Sequence, residues 1–247
     1  MGTISIELVP RSALSLQADI ALLKQRFPVA NTLNIPDLLR FPLRSWDACD
    51  LCKNEGFTAI PHIRAMDFHL ANVQTLVELL AARDLKKVLV IRGDLPADLS
   101  HTVHSTTSTE LIRALKQAAP HLDIYAAFDP YRQSLLSDVE EAHEKLAAGA
   151  CGLFTQPIFD LRFANVCADL LPDANIFWGV SPVISERSKS YWEVKNRAFF
   201  PPNFQPTLGW NRSFARDVLA WTQATSTSIY FMPIRVDLAT YLDGVLP

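Results

Sequence analysis

The sequence predicts an α/β protein folded as a single (β/α)8 TIM barrel, and three observations lead to this fold class. Short apolar runs alternate with amphipathic segments along all 247 residues, a pattern typical of parallel α/β proteins. The runs and the amphipathic segments number eight each, which favours closure of the sheet into a barrel. No Gly-x-Gly-x-x-Gly follows the first strand, which weighs against an open, doubly wound sheet. One domain spanning residues 1–247 is expected, because this length is normal for one barrel.

The strands are predicted from short runs rich in Val, Ile, Leu and Phe, each closing at or beside Pro, Gly or a polar residue. They are, in order, Thr3–Val9, Val29–Ile35, Thr58–Ile63, Lys87–Arg92, Asp123–Phe128, Gly152–Gln156, Asn175–Val180 and Ser228–Pro233.

The helices are predicted between the strands, where apolar residues recur at helical spacing, as Leu76, Leu79 and Leu80 do. Ala-Gly-Ala at 148–150 is a typical helix stop before a buried strand. Residues 184–206, with paired prolines and several aromatics, are predicted to form a functional loop containing a short helix. The predicted helices are Leu14–Arg26, Ser45–Asn54, Leu70–Ala82, Ser108–Ala118, Leu135–Ala148, Leu161–Leu171, Asn211–Gln223 and Val236–Leu246.

Composition excludes several classes of function. A formal net charge of −3 argues against a nucleic-acid surface, since such domains usually present a basic face. Apolar runs are too short to cross a bilayer, and no signal-like segment opens the chain, so a cytoplasmic protein is expected. Cys49-x-x-Cys52 lies in a predicted helix without a second cysteine pair, so we interpret it as structural and expect no metal site.

Polar side chains close several of the predicted strands, and in a barrel these strand ends converge on one mouth, where we expect the ligand. Two of these side chains have a definite structural alternative. Glu7 could be a salt-bridge partner of Arg11 or Arg92, and His62 could cap its strand. An amide between aromatics, as Gln156 is, must find partners or lose solvation energy. The strand-end set is Glu7, Asn34, His62, Arg92, Asp94 and Gln156.

The chemistry of this set is restricted. The sequence contains no zinc spacing, Ser nucleophile elbow or P-loop, and it lacks the clustered carboxylates of a magnesium site. Acids, amides and aromatic walls suit a planar heterocycle with hydrogen-bond donors, such as a pterin or a flavin.

Four motifs follow one another at the predicted strand ends. They read Glu-Leu-Val-Pro-Arg (7–11), Pro-His-Ile-Arg-Ala-Met-Asp (61–67), Ile-Arg-Gly-Asp-Leu-Pro (91–96), and Lys-Leu-Ala-Ala-Gly-Ala (145–150) followed by Phe-Thr-Gln-Pro-Ile-Phe-Asp (154–160). In this order and spacing they resemble the catalytic domain of the methylenetetrahydrofolate reductase family over nearly the full chain.

The resemblance implies a barrel that holds FAD, which passes hydride from NAD(P)H to 5,10-methylenetetrahydrofolate in one-carbon metabolism and methionine biosynthesis. It implies that Glu7 is the general acid that opens the imidazolidine ring, and that Asp94 favours the cationic iminium. Gln156, Arg235 and Phe204 are implied as substrate-binding residues. The residues implied around the cofactor are Asn34, His62, Arg92, Gly93, Asp94, Asp138 and Lys145.

The sequence departs from the family pattern on the flavin side. Asn34 stands where a Thr is usual, the fifth strand ends Phe-Asp-Pro-Tyr-Arg (128–132) instead of Tyr-Pro with a nearby His, and Glu141 replaces an Asn. Glu141 would repel the FAD diphosphate unless it pairs with Lys145 or Arg132, so weak FAD binding is expected.

Two other functions stay open at this stage. One is a folate enzyme that uses no flavin, either a reductase or a methyl-transfer partner, and the other is a non-enzymatic folate-binding protein. The choice between NADH and NADPH, and whether the chain forms a homo-oligomer, are also open.

Overall fold

Eight parallel strands close into a barrel in the computed structural model, which describes residues 2–95 and 101–247. Neighbours in sequence are neighbours in the sheet, and β8 pairs with β1 to complete the ring. The predicted (β/α)8 barrel is therefore confirmed. The strands are β1 Ile4–Glu7, β2 Thr32–Ile35, β3 Thr58–Arg64, β4 Lys87–Ile91, β5 Asp123–Phe128, β6 Gly152–Pro157, β7 Ile176–Val180 and β8 Ser228–Phe231.

Helices surround the barrel and follow the strands in turn. Two short 3-10 turns, Ala65–Asp67 and Leu70–Asn72, precede the third helix. In the described part of the chain the helices are α1 Ala13–Arg26, α2 Ser45–Asn54, α3 Val73–Ala82, α4 Ser108–Ala118, α5 Leu135–Ala147, α6 Leu161–Leu170, α7 Glu186–Asn196, α8 Leu208–Ala224 and α9 Leu238–Leu242.

The largest difference from the sequence prediction lies between β7 and β8. The stretch predicted as a loop with a short helix holds α7, an 11-residue helix. Ser185 caps it by accepting a hydrogen bond from the Ser188 N–H at 3.1 Å. Trp192 buries its indole against Phe159, 5.7 Å between ring centroids, and this packing holds a helix whose sequence is weakly amphipathic.

Local capping also explains the shifted helix ends. The predicted helix Val236–Leu246 shortens to α9, because Asp237 is its N-cap, accepting from the Thr240 N–H at 2.7 Å, and Gly244 turns the chain with a φ of 70°. The helix predicted from Asn211 begins at Leu208, after the cap Thr207.

Side chains alternate along each strand between the barrel interior and the helix layer. The outward side chains join the large core beneath the helices. The inward ones form an aromatic and aliphatic layer across the barrel, in which Phe154 stacks on Phe177 at 4.1 Å. Two residues further along β3 and β6, nearer the mouth, the interior positions are the polar residues His62 and Gln156. The apolar layer consists of Ile60, Leu89, Tyr125, Phe154, Phe177, Tyr230 and Met232.

The cysteines support the structural interpretation of Cys49 and Cys52, which are both buried and unbonded in α2. Across residues 2–95 and 101–247, no group of three or more His, Cys, Asp or Glu side chains is arranged to hold a metal ion. In the same ranges no helix has the length and apolar character needed to span a membrane.

Candidate active site at the barrel mouth

Glu7 ends β1 at the mouth of the barrel, and the hydroxyl of Tyr230 on the adjacent β8 donates a hydrogen bond to its Oε2. Burial raises the pKa of the carboxyl to about 7 from its ordinary 4.5, while the Tyr230 hydrogen bond opposes that rise. Among the described residues no ion pair joins Glu7 to Arg11 or Arg92, so the salt-bridge alternative is not realised. A carboxyl half-protonated near neutral pH is suited to proton transfer.

Asn34 and His62 present unpartnered nitrogens inside the barrel. Asn34 lies beside Glu7 in the strand register, and its Oδ1 accepts from Ser5 Oγ at 3.0 Å, but its Nδ2 has no hydrogen-bond partner. His62 is 6% exposed and its Nε2 has none either. A buried polar atom without a partner costs about 1–3 kcal/mol. Two together at one mouth indicate a place where a ligand supplies the partners.

The imidazole of His62 is neutral at pH 7. Burial lowers its pKa to about 4, and the nearby Asp37 carboxylate only partly opposes this effect. The backbone carbonyl of His62 accepts from Ser45 Oγ at 2.8 Å, which fixes this stretch of β3 against the start of α2. His62 therefore offers hydrogen bonds and contact surface without a formal charge.

The Arg92-Gly93-Asp94 turn is held through its backbone. Arg64 at the end of β3 donates from Nη2 to the Asp94 carbonyl at 2.6 Å, and its Nε lies 3.1 Å from Asp67. Gly93 has a φ of 90°, and a Cβ there would come within 3.1 Å of Arg64 and Met66 side-chain atoms, so any other residue would be strained at this position. The side chains of Arg92 and Asp94 are left exposed at the mouth. The last residue of this motif, Pro96, lies outside the described residues.

Gln156 lies on β6 where the pairing with β7 becomes irregular. The register shifts between Phe154 and Pro157, and Thr155 Oγ1 accepts from the Gly179 N–H at 2.8 Å to bridge the gap. Irregularities of this kind re-aim a side chain beside functional sites. Gln156 stands one interior position above Phe154, between the apolar layer and the mouth.

A groove of about 1220 Å³ opens beside the mouth, between the start of α4, the β5–α5 loop and the end of α7. Several arginine and lysine side chains line it, and Arg197 Nη1 donates a hydrogen bond to the Arg132 carbonyl across it at 2.9 Å. Its charged lining is Arg92, Arg113, Arg132, Lys195, Arg197, Glu110, Asp129, Glu141 and Glu144.

The α5 residues predicted to bind a cofactor are engaged within the protein. Lys145 is 7% exposed, and its Nζ donates to the Ala127 carbonyl at 2.8 Å and pairs with Glu141 Oε1 at 2.8 Å. Burial opposes ionisation of Glu141, but Lys145 holds its pKa below the usual range. Asp138 is buried and accepts from the Gln133 N–H at 3.1 Å. Pairing of Glu141 with Lys145 is one of the two arrangements the sequence left open.

Phe204 and Arg235 lie on the long β7–β8 connection and just after β8. Phe204 packs between Phe200 and Trp210, with ring centroids 4.3 and 4.6 Å away, and these contacts account for its position without a substrate. Arg235 has a left-handed φ of 59°, and its guanidinium lies 5.8 Å from the ring centroid of Tyr191 on α7. The assignment of both as substrate-binding residues remains a prediction.

Sequence reasoning missed Tyr230 and the Arg64–Asp67 pair. Arg64 and Asp67 fall inside the motif at 61–67, so their spacing was visible in the sequence. Tyr230 looks like one more aromatic of an apolar strand, and only closure of β8 onto β1 brings its hydroxyl to Glu7.

Comparison with solved structures supports the fold. The chain is similar to an uncharacterized protein from Clostridium thermocellum that binds two copies of 5-methyl-5,6,7,8-tetrahydrofolic acid, with 11% identity, a TM-score of 0.68, and coverage of 99% of this chain and 93% of that one. It is also similar to 2,3-dimethylmalate lyase, with 12% identity, a TM-score of 0.61, and coverage of 95% and 75%. Oxaloacetate acetylhydrolase matches with 11% identity, a TM-score of 0.59, and coverage of 94% and 75%.

At these identities the structures establish the shared barrel alone. The family follows from the sequence itself, because the family model described as Methylenetetrahydrofolate reductase matches residues 44–205, more than half of the chain. This range contains three of the four motifs and the groove residues of α4 and α5. The chain belongs to the methylenetetrahydrofolate reductase family.

Proposed function

We propose that this protein binds a reduced folate at the barrel mouth and reduces 5,10-methylenetetrahydrofolate to 5-methyltetrahydrofolate, with NAD(P)H as hydride donor and FAD as the intermediate carrier. The observation that carries the proposal is Glu7, an acid with a pKa of about 7 beside Asn34, whose side-chain nitrogen is unpartnered, at the mouth where the unpartnered nitrogen of His62 also lies. Family membership and the folate-binding protein of the same fold support the substrate class.

Glu7 performs the proton chemistry in this proposal. Its carboxyl donates a proton to the leaving nitrogen of the imidazolidine ring, and the ring opens to a cationic iminium. The Asp94 carboxylate favours that cation electrostatically. The Gln156 amide holds the folate through hydrogen bonds, and neutral His62 adds no repulsion to the developing positive charge.

The mouth and groove have room and donors for FAD. The groove is large, and the exposed cations Arg92 and Arg132 suit its diphosphate, while the free nitrogens of Asn34 and His62 suit the polar edge of its ring. When bound, FAD would accept hydride from the nicotinamide and pass it to the folate. Lys145 is engaged by Glu141 and Ala127, so we assign the diphosphate to the two arginines instead.

The proposal is tested by Glu7→Gln, which keeps size and hydrogen bonding but removes the transferable proton. Folate reduction should fall about 100- to 10,000-fold, the range that general acid catalysis contributes. Reduction of bound flavin by the nicotinamide should persist in an anaerobic titration, since that half-reaction needs no acid at the folate. Glu78→Gln on the exposed face of α3 is the matched control. Equal loss in both half-reactions would mean that Glu7 has a structural role.

The Lys145–Glu141 pair favours a second candidate, a reductase of the same folate that transfers hydride directly from the nicotinamide. Because Glu141 neutralises Lys145, α5 offers a diphosphate less positive charge than an unpaired Lys145 would. An absorbance spectrum of the purified protein separates the two. Folate reduction with NAD(P)H by a protein that neither carries nor binds FAD would favour direct transfer.

A further inference from the structure

Tyr230 joins the apolar layer of the barrel to the acid at its mouth. The ring is 3% exposed and meets Phe154 edge to face, with ring centroids 5.2 Å apart. β8 pairs directly with β1, where Tyr230 lies opposite Ser5, and the hydroxyl reaches Oε2 of Glu7 two residues further on. The aromatic layer thus fixes the ring, and the ring fixes the position of the hydroxyl.

We propose that Tyr230 is a positioning residue for Glu7. Its hydroxyl occupies Oε2 of the Glu7 carboxyl and leaves Oε1 as the oxygen that carries the transferable proton. A carboxyl has two oxygens of equal basicity, and free rotation would place the proton on either. A hydroxyl donated to Oε2 removes this freedom and stabilises the carboxylate left after transfer. The inference rests on the proposed function where it treats Glu7 as the acid.

Tyr230 keeps its own proton in this arrangement. Burial and the adjacent Glu7 carboxyl raise the pKa of the phenol well above its usual range, and the nearby Asn34 side chain opposes this rise only in part. The hydroxyl therefore donates a hydrogen bond and does not enter the reaction as an acid. Its action on catalysis passes through Glu7 alone.

The other groups around Glu7 leave Tyr230 as the direct polar partner of the carboxyl. On β2 the neighbour is the neutral amide of Asn34. A small cleft that Glu7 borders is lined by Arg11, by Asp19 of α1 and by Asp237 before α9. Within the described ranges, the hydrogen bond that reaches the Glu7 side chain comes from Tyr230.

The test is the titration of Glu7 itself, followed by NMR of protein labelled with ¹³C at the glutamate carboxyls and assigned by loss of the signal in Glu7→Gln. Tyr230→Phe keeps the ring but removes the donor, so the midpoint should move upward by about one pH unit or more, the equivalent of one hydrogen bond to a charged group. Tyr125→Phe is the control, because it removes another phenol from the same apolar layer. Its midpoint should match the wild type.

An unchanged midpoint in Tyr230→Phe, or the same movement in Tyr125→Phe, would overturn the inference. If Tyr230→Phe does not fold, wild-type protein labelled at the tyrosine Cζ provides the measurement. One tyrosine signal should then follow the titration of Glu7 and lose this dependence in Glu7→Gln. Its absence would count equally against the inference.

Activity separates this inference from the proposed function. In Tyr230→Phe the high-pH limb of the folate-reduction profile should shift upward with the NMR midpoint, while KM for the folate stays close to the wild-type value. A shifted NMR midpoint in a protein that reduces no folate would leave the positioning role of Tyr230 intact and refute the proposed reaction.

Discussion

Two titratable residues at the mouth, Glu7 and His62, have opposite pKa shifts for the same reason. Burial penalises the charged form of each, so it raises the pKa of Glu7 to about 7 and lowers that of His62 to about 4. Between pH 4.5 and 6.5 the folded protein then holds a proton on Glu7 that the unfolded chain has released, and lacks one on His62 that the unfolded chain has bound. The two effects on stability have opposite signs.

We therefore expect single substitutions to uncover opposite pH dependences. With Glu7→Gln only His62 remains, whose contribution is present above pH 6.5 and lost as the pH falls toward 4, so stability should rise from pH 5 to 7. With His62→Gln only Glu7 remains, whose contribution is present below pH 4.5 and lost as the pH rises toward 7, so stability should fall. Each change amounts to at most about 3 kcal/mol.

Urea unfolding at pH 5 and pH 7 measures both slopes. The wild type should show little change from these two residues, because their contributions cancel. The same pH dependence in all three proteins would show that desolvation shifts neither pKa.

Helix α5 carries three charged side chains on one face, and all three are held by contacts within the protein. Three residues recur at helical spacing, namely Asp138, Glu141 and Lys145. Asp138 accepts a hydrogen bond from the Gln133 N–H in the preceding loop, and Lys145 donates one to the Ala127 carbonyl of β5. The pairing of Lys145 with Glu141 stabilises the buried ammonium. Without a partner, a charge at this position would destabilise the folded protein by about 3–5 kcal/mol. The pairing also neutralises the cation of this helix, which borders a small cleft together with Arg92 and Arg132.

Glu141→Asn should strengthen FAD binding, because it removes a negative charge from the groove and frees Lys145. The expected gain is roughly 3- to 10-fold at low salt and smaller at high salt, since the interaction is screened. Fluorescence quenching of FAD at two salt concentrations measures it. Glu140→Asn, the same charge change on the exposed neighbour, should leave the affinity unchanged. Equal affinities in wild type and Glu141→Asn would show that the pair does not limit binding.

The whole molecule consists of a barrel and a docked β7–β8 connection with its own apolar cluster. Tyr131, Phe159, Val183, Trp192 and Ala198 form this cluster, separate from the barrel interior. Because it shares few side chains with the strands, α7 can lose its docking without loss of the barrel.

Trp192→Ala should detach α7 while the barrel stays folded. Loss of a buried indole costs about 3–5 kcal/mol, and here the cost falls on the docking of one helix. Hydrogen exchange should show fast amides in α7 and unchanged protection in β1–β8. Val194→Ala on the exposed face of the same helix should change neither. Loss of protection in the strands as well would show that α7 belongs to the cooperative core.

Local patterns in the sequence determined the barrel and many of its elements. The bounds of β5, α2 and α4 agree with the prediction residue for residue, and α4 shows a local cause, because the Thr107–Glu110 capping box fixes its start. Strand-end polar residues placed Glu7, Asn34 and His62 at the mouth, because side chains alternate along a strand and parallel strands end on one side.

Contacts between residues far apart in the chain were decided only by the tertiary structure. Tyr230 and Glu7 are separated by 223 positions, and no local pattern distinguishes this tyrosine from the other aromatics of the apolar layer. The length of α7 depended on the pocket that receives Trp192, since its own sequence is only weakly amphipathic. Glu141 had two cations within reach in the sequence, and the choice of Lys145 followed from where β5 placed the Ala127 carbonyl. Periodicity and capping act within a few residues and are legible in the sequence, whereas the partners of a buried polar group depend on barrel closure.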